Sequence, residues 1–236
     1  MKRAVIADGR RMEYTLIQSS RTDVLFQALP EAGIRVYAPK FMGLRAVDEM
    51  VRRRAGELSA MQRDVEARLE ADRRAHPVTD GSPILIEGAR CVLRLYKGSR
   101  RTGSRVGDEY RLTLPEPDSD PAVRAAIRST LSALALKRIR QRLEYYVPRV
   151  GRAPGRVTIR DQKSRWGSCS QKGNLNFNWK LIMAPPQALD YVVVPELCHL
   201  YEFNHSPRFW AMVERQLPDY AVWKKWLKAH AEDLYL

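Results

Sequence analysis

Cysteine is scarce in this 236-residue chain: Cys91, Cys169 and Cys198 are widely spaced and odd in number. No two of them form a C-x-x-C pair. A disulfide framework and a cysteine zinc site are therefore not expected, and a reducing, cytoplasmic setting is. Long apolar runs are missing too. No stretch approaches the roughly 18 apolar residues of a membrane helix, and the opening MKRAVIADGRRMEYTL lacks the apolar core of a signal peptide. Acidic residues are few beside basic ones, 27 against 41, which leaves a formal charge of +14. What remains is ordinary for a globular protein, with 44% hydrophobic and 29% charged residues. The length allows one large domain or two small ones.

The positive charge is not spread evenly. Between Arg124 and Lys172 there are 13 Lys and Arg against two acids, Glu144 and Asp161. Such a block attracts phosphates, nucleic acid or an acidic partner, or is simply a solvated basic face. No nucleic-acid motif accompanies it.

Periodicity gives an α+β order. Short strands are expected over residues 12–38, around Tyr14–Ile17, Val24–Phe26 and Ile34–Tyr37. A long amphipathic helix is expected over 44–75, with a possible break near Gly56. Strands return over 83–114, where Glu87-Gly88 is a hairpin signal. The basic loop KGSRRTGSR, 97–105, reads as a surface turn rather than a phosphate loop. PEPDSDP, 115–121, is the expected boundary between a strand and long-helix region, 1–118, and a second region, 119–236. Asp120 is a candidate cap and Pro121 a first helical residue for a helix over 121–147, ended by Pro148 to Gly155. An antiparallel ribbon is expected over 156–182, and helices at about 207–216 and 219–233.

The stretch with the most chemistry is Leu189–Trp210, LDYVVVPELCHLYEFNHSPRFW. It holds two of the four histidines, His199 and His205, with Glu196 three residues before the first. A carboxylate as general base and imidazoles as ligands are the groups a zinc hydrolase uses. Two histidines at i and i+4 would share one helix face. Four before His199, however, stands Pro195, so the motif reads PELCH where HELCH is expected. Two local readings stay open: a helix running through Pro195, or a strand YVVV with Pro195 as the first helical residue. Glu202 or a water is a candidate stand-in for the missing ligand. His76 and His230 read as exposed or structural, and Cys198 and Cys169 as packing. Arg165 and Trp166 belong either to substrate contacts or to a structural ribbon.

RWGSCS at 165–170, NLNFNWKLIMAPP at 174–186, DYVVVPELCHL at 190–200 and NHSPRFW at 204–210 together resemble the YgjP-like metallohydrolases, a branch of the HExxH zinc-peptidase group. That resemblance implies a zincin-like C-terminal part with one zinc. It implies Glu196 as the base activating a metal-bound water, and His199 and His205 as ligands. It also implies a peptide substrate or, as an alternative, a nucleotide such as UTP cleaved at its pyrophosphate. A ribbon edge beside the cleft would pair with an extended peptide. The competing expectation is a non-catalytic basic module that uses segment 124–172 to bind nucleic acid or an acidic partner.

Overall fold

The computed structural model describes residues 1–30, 33–162 and 165–234. The chain is α+β and divides into two compact units, Met1–Pro77 and Val78–Leu236. The strands of 83–114, expected with the N-terminal region, instead share a core with the helix that follows them. Among the described residues no helix is long and apolar enough to cross a membrane.

The first unit is a four-stranded sheet and two helices. Its strands are β1 (Lys2–Ala7), β2 (Arg10–Ser19), β3 (Leu25–Leu29) and β4 (Gly33–Pro39), ordered β1-β2-β4-β3. The helices are α1 (Leu44–Arg53) and α2 (Ala55–Ala75). Alternation gives the sheet one apolar face: Val5, Tyr14, Leu16, Ile34, Val36 and Ala38 are buried, with Val47, Val51 and Leu58 of the helices. The helix break expected near Gly56 falls at Arg54. Asp48 of α1 accepts from the Arg3 guanidinium (2.9 and 2.5 Å) and from the Tyr14 hydroxyl (2.5 Å), which ties helix to sheet.

The second unit opens with β5 (Pro83–Ile86), β6 (Ala89–Lys97), β7 (Thr102–Val106) and β8 (Glu109–Leu114), ordered β5-β6-β8-β7. This is the plan of the first sheet in the same register. Tyr14 faces Ile34, which faces Ala28; Leu93 faces Tyr110, which faces Arg105. The expected basic loop is therefore half strand. Gly103 of β7 gives room to Tyr110, whose hydroxyl donates to Thr130 Oγ1 at 2.9 Å.

A 31-residue helix, α3 (Asp120–Val150), follows. Its cap is Ser119, whose hydroxyl accepts from Ala122 N; the Asp120 carboxylate instead accepts from Val78 N and Arg124. Pro148 does not end α3. It lies in the last turn, where it forfeits one hydrogen bond to the preceding turn without stopping the helix, and Gly151, in the left-handed region at φ 89°, closes it.

Then come β9 (Val157–Arg160), β10 (Gly167–Cys169) and β11 (Leu175–Asn178), a 3-10 turn at Trp179–Met183, and α4 (Pro186–Cys198). Helices α5 (Pro207–Gln216) and α6 (Tyr220–Ala229) and a short turn at Glu232–Leu234 complete the unit. The ribbon expected over 156–182, which includes residues 163–164 outside the described set, is not simply antiparallel. The order is β10-β11-β9, with β11 parallel to β9 and antiparallel to β10. Period-2 alternation fixes which face is buried, but not which strand lies beside which.

Candidate active site

Helix α4 runs unbroken through Pro195, so the strand reading of YVVV is overturned. A proline inside a helix costs about 3 kcal/mol. Against that, Leu189, Val192, Val193, Val194 and Leu197 are all buried on this helix, at about 1.5–3 kcal/mol each. Burial wins. Pro185 and Pro186 start the helix with a fixed φ where a missing N–H removes nothing. Pro195 still offers its carbonyl, which accepts from His199 N at 3.0 Å. Buried Asp190 of α4 accepts from the Arg142 guanidinium of α3 at 2.6 and 2.8 Å, and from the Tyr146 hydroxyl at 3.1 Å. This carboxylate ties the site helix to α3.

His199 is the residue that caps α4. Its Nδ1–H donates to the main-chain oxygen of Glu202 at 2.9 Å, which leaves the lone pair on Nε2. That Nε2 faces the Nε2 of His205 at 3.2 Å. The loop between them is held from outside, since Arg152 donates to the Leu200 carbonyl. His205 precedes Ser206, whose side chain caps α5 by accepting from Phe209 N at 3.3 Å. Phe209 is fully buried and walls both imidazoles, with ring centroids 4.6 Å from His199 and 4.8 Å from His205. Burial, then His199 and Lys224, lower the pKa of His205.

Glu196 lies under strand β10. Burial pushes its carboxyl up to about 7, against the pull of the Arg165 cation. Its Oε2 is buried and has no hydrogen-bond partner among the described residues. Such a carboxyl is poised to exchange a proton near neutral pH. The thiol of Cys169, on β10, is raised by burial and by Glu196, with Arg152 opposing. Cys198 is fully buried and its thiol is pushed up to about 12, as packing requires.

The chain matches the model of the YgjP-like, metallopeptidase domain over residues 24–230. It belongs to the YgjP-like metallopeptidase family. No curated protein and no solved structure matches it. The family supports a metal-dependent hydrolase and implies a divalent metal.

The residues present meet that metal only in part. Two nitrogens bound tetrahedrally to zinc at about 2.0–2.1 Å lie roughly 3.3 Å apart, so the imidazole pair of this YgjP-like chain suits two corners of a site. A catalytic zinc takes about three protein ligands, and Pro195 has no donor to offer as the third. Among the described residues there is no group of three or more His, Cys, Asp or Glu able to hold a metal. Glu202 approaches His199 through its main-chain oxygen, an acceptor role that no side-chain pattern announces. The full three-ligand set does not fit. His76 is exposed beside Asp72 at 3.2 Å, and His230 stacks on Trp226 at 4.4 Å; neither joins the site.

Proposed function

We propose that this chain carries the general base and two metal ligands of a metallopeptidase-type zinc hydrolase, Glu196, His199 and His205, and that Pro195 leaves it one ligand short. The observation that carries this reading is the 3.2 Å approach of the two Nε2 atoms. One imidazole has its tautomer set by a carbonyl, and a carboxyl raised to about 7 stands three residues away. A buried carboxylate oxygen with no hydrogen-bond partner among the described residues costs stability, and a purely structural cluster would not retain it. Here it is ready to take a proton from a water nucleophile. The chain's own residues supply the proton acceptor and the orientation; with two ligands they hold metal weakly. The substrate class we favour is a peptide, with the open edge of β10 as the strand it would pair with. A nucleotide pyrophosphate such as UTP is the alternative.

The competing basic-module reading has fewer cations to draw on than the sequence suggests. Arg124, Arg128, Arg138 and Arg142 are committed to Asp120, Asp161, Glu87 and Asp190.

The test compares zinc content and chelator competition in this chain and in Pro195→His. Loss of an outer-shell partner typically weakens a metal about 10–100-fold, and a direct ligand is expected to exceed that. Pro195→His should therefore hold stoichiometric zinc and hydrolyse a peptide or nucleotide substrate, while the parent binds at least about 100-fold more weakly. Equal binding by both would show that another residue completes the site. Binding by neither would overturn the metallohydrolase reading.

A further inference from the structure

We infer that Gly167 is a positioning residue for Glu196: the absence of a side chain there lets strand β10 lie directly on the carboxylate. A Cβ at this position would fall 2.7 Å from Glu196 Oε1, 2.8 Å from Glu196 Cγ and 2.9 Å from Val192 Cγ1. Real Cβ atoms essentially never approach other heavy atoms that closely. Backbone freedom is not the reason for the glycine, because Gly167 is absent from the glycines with positive φ. Any residue could adopt its conformation, and only a hydrogen fits in the space.

The strand is held where it touches Glu196. Gly167 faces Phe177 in the antiparallel register of β10 and β11. The next residue of β11, buried Asn178, holds Trp166, the residue just before β10, and also reaches Gln162. Its N–H donates to the Trp166 carbonyl at 2.8 Å, and its side-chain amide donates to the Gln162 carbonyl at 2.6 Å. Arg165, two residues before Gly167, is the cation that Glu196 feels. One short segment therefore acts on the carboxyl twice, by excluding water through contact and by a field from Arg165. Cys169, on the same strand, is a described titratable group that feels Glu196 in turn.

The catalytic meaning of this contact rests on Glu196 being the base, but its test does not, since neither metal nor substrate is needed. The experiment is a double-mutant cycle in the full chain: Gly167→Ala, Glu196→Ala and the pair, each followed by denaturant unfolding. Alongside it, the Glu196 carboxyl is titrated by carbon NMR in the parent and in Gly167→Ala. Gly167→Ala is expected to destabilise the second unit and to strengthen Glu196 as an acid at least tenfold, as the carboxyl is displaced toward water. In the Glu196→Ala background the same substitution should cost clearly less, with only the 2.9 Å approach to Val192 Cγ1 left. An unchanged titration midpoint, or an equal loss in both backgrounds, would overturn the inference. Should Gly167→Ala fail to fold, the pair decides: a folded pair supports the inference, and an unfolded pair assigns the clash to Val192 and refutes it. Failure of zinc binding in Pro195→His would leave this contact untouched, so the two readings fail separately.

Discussion

Asp8-Gly9 of the first sheet and Glu87-Gly88 of the second stand at the same place in the same hairpin, with φ of 49° and 71° in one and 52° and 79° in the other. Their surroundings differ. A Cβ on Gly9 would meet nothing within 4 Å, whereas one on Gly88 would lie 2.9 Å from the Pro185 ring and 3.0 Å from its Cα. The main-chain N–H groups of Glu87 and Gly88 donate to the carbonyls of Ile182 and Met183 at 2.7 and 3.0 Å. The first turn only joins two strands. The second also clamps the segment that leads into α4. One sheet plan thus serves as a self-contained unit in one place and as a support for the site helix in the other.

The largest expected effect separates the two turns. Replacing either glycine by alanine forces a side chain into the left-handed region, at about 1–2 kcal/mol. Gly88→Ala adds overpacking against backbone that cannot swing aside, a further 1–3 kcal/mol or so. Gly9→Ala should stop at the first figure. All five tryptophans, Trp166, Trp179, Trp210, Trp223 and Trp226, belong to the second unit. Tryptophan fluorescence therefore follows that unit alone, and far-UV circular dichroism follows both. Equal losses for the two variants would break the comparison.

The second contrast is between two carboxyls, one half-buried and paired, the other raised by burial. Asp48 in the first unit is held below the usual carboxylate range by its hydrogen bonds from Arg3, against burial. Glu196 in the second is raised to about 7 by burial. The signs are opposite. Asp48 contributes stability above the ordinary aspartate pKa, and it is lost as pH falls through the lowered value. Glu196 binds its proton more tightly when folded, so its contribution is complete below about pH 4.5 and lost as pH rises through about 7. Glu196→Gln, which cannot ionise, should therefore be more stable than the parent by about 3 kcal/mol at pH 8 and indistinguishable near pH 4. Fluorescence-detected unfolding across that range checks it. A variant less stable at pH 8 would mean that the carboxylate has a partner and is not a strained base.

Much of this was legible in the chain. The alternation of Ile34, Val36 and Ala38 and of Tyr110, Leu112 and Leu114 marks the buried face of each sheet. The spacing of Glu196, His199 and His205 marks the candidate site, because side-chain chemistry is written in residue identity. Neighbour relations are not. Strand β1 escaped notice because charged and small residues interrupt its apolar positions. The parallel pairing of β2 with β4 and of β11 with β9 has no local signature. Pro195 misleads because local propensity is overridden by the burial of the rest of α4. Gly167 is opaque for the same reason: the atom that forbids a side chain there belongs to Glu196, 29 residues later in the chain.

The smallest expected effect sharpens what the two units share. Each ties a helix with one motif, an aspartate accepting from an arginine fork and a tyrosine hydroxyl: Asp48 with Arg3 and Tyr14, and Asp190 with Arg142 and Tyr146. Burial raises both phenols, Tyr14 to about 12. A phenol raised in the folded state contributes stability that is complete below about pH 10 and lost as pH climbs through the folded value. Tyr14→Phe should cost the first unit about 1.5–3 kcal/mol at neutral pH, the worth of a hydrogen bond to a charged group. It should also remove that unit's share of the alkaline loss between about pH 10 and 12. Tyr146→Phe should do the same to the second unit, now visible by fluorescence. If only one of the two flattens its alkaline limb, the motifs are alike in geometry and unlike in energetics, and the difference must come from what surrounds Asp48 and Asp190.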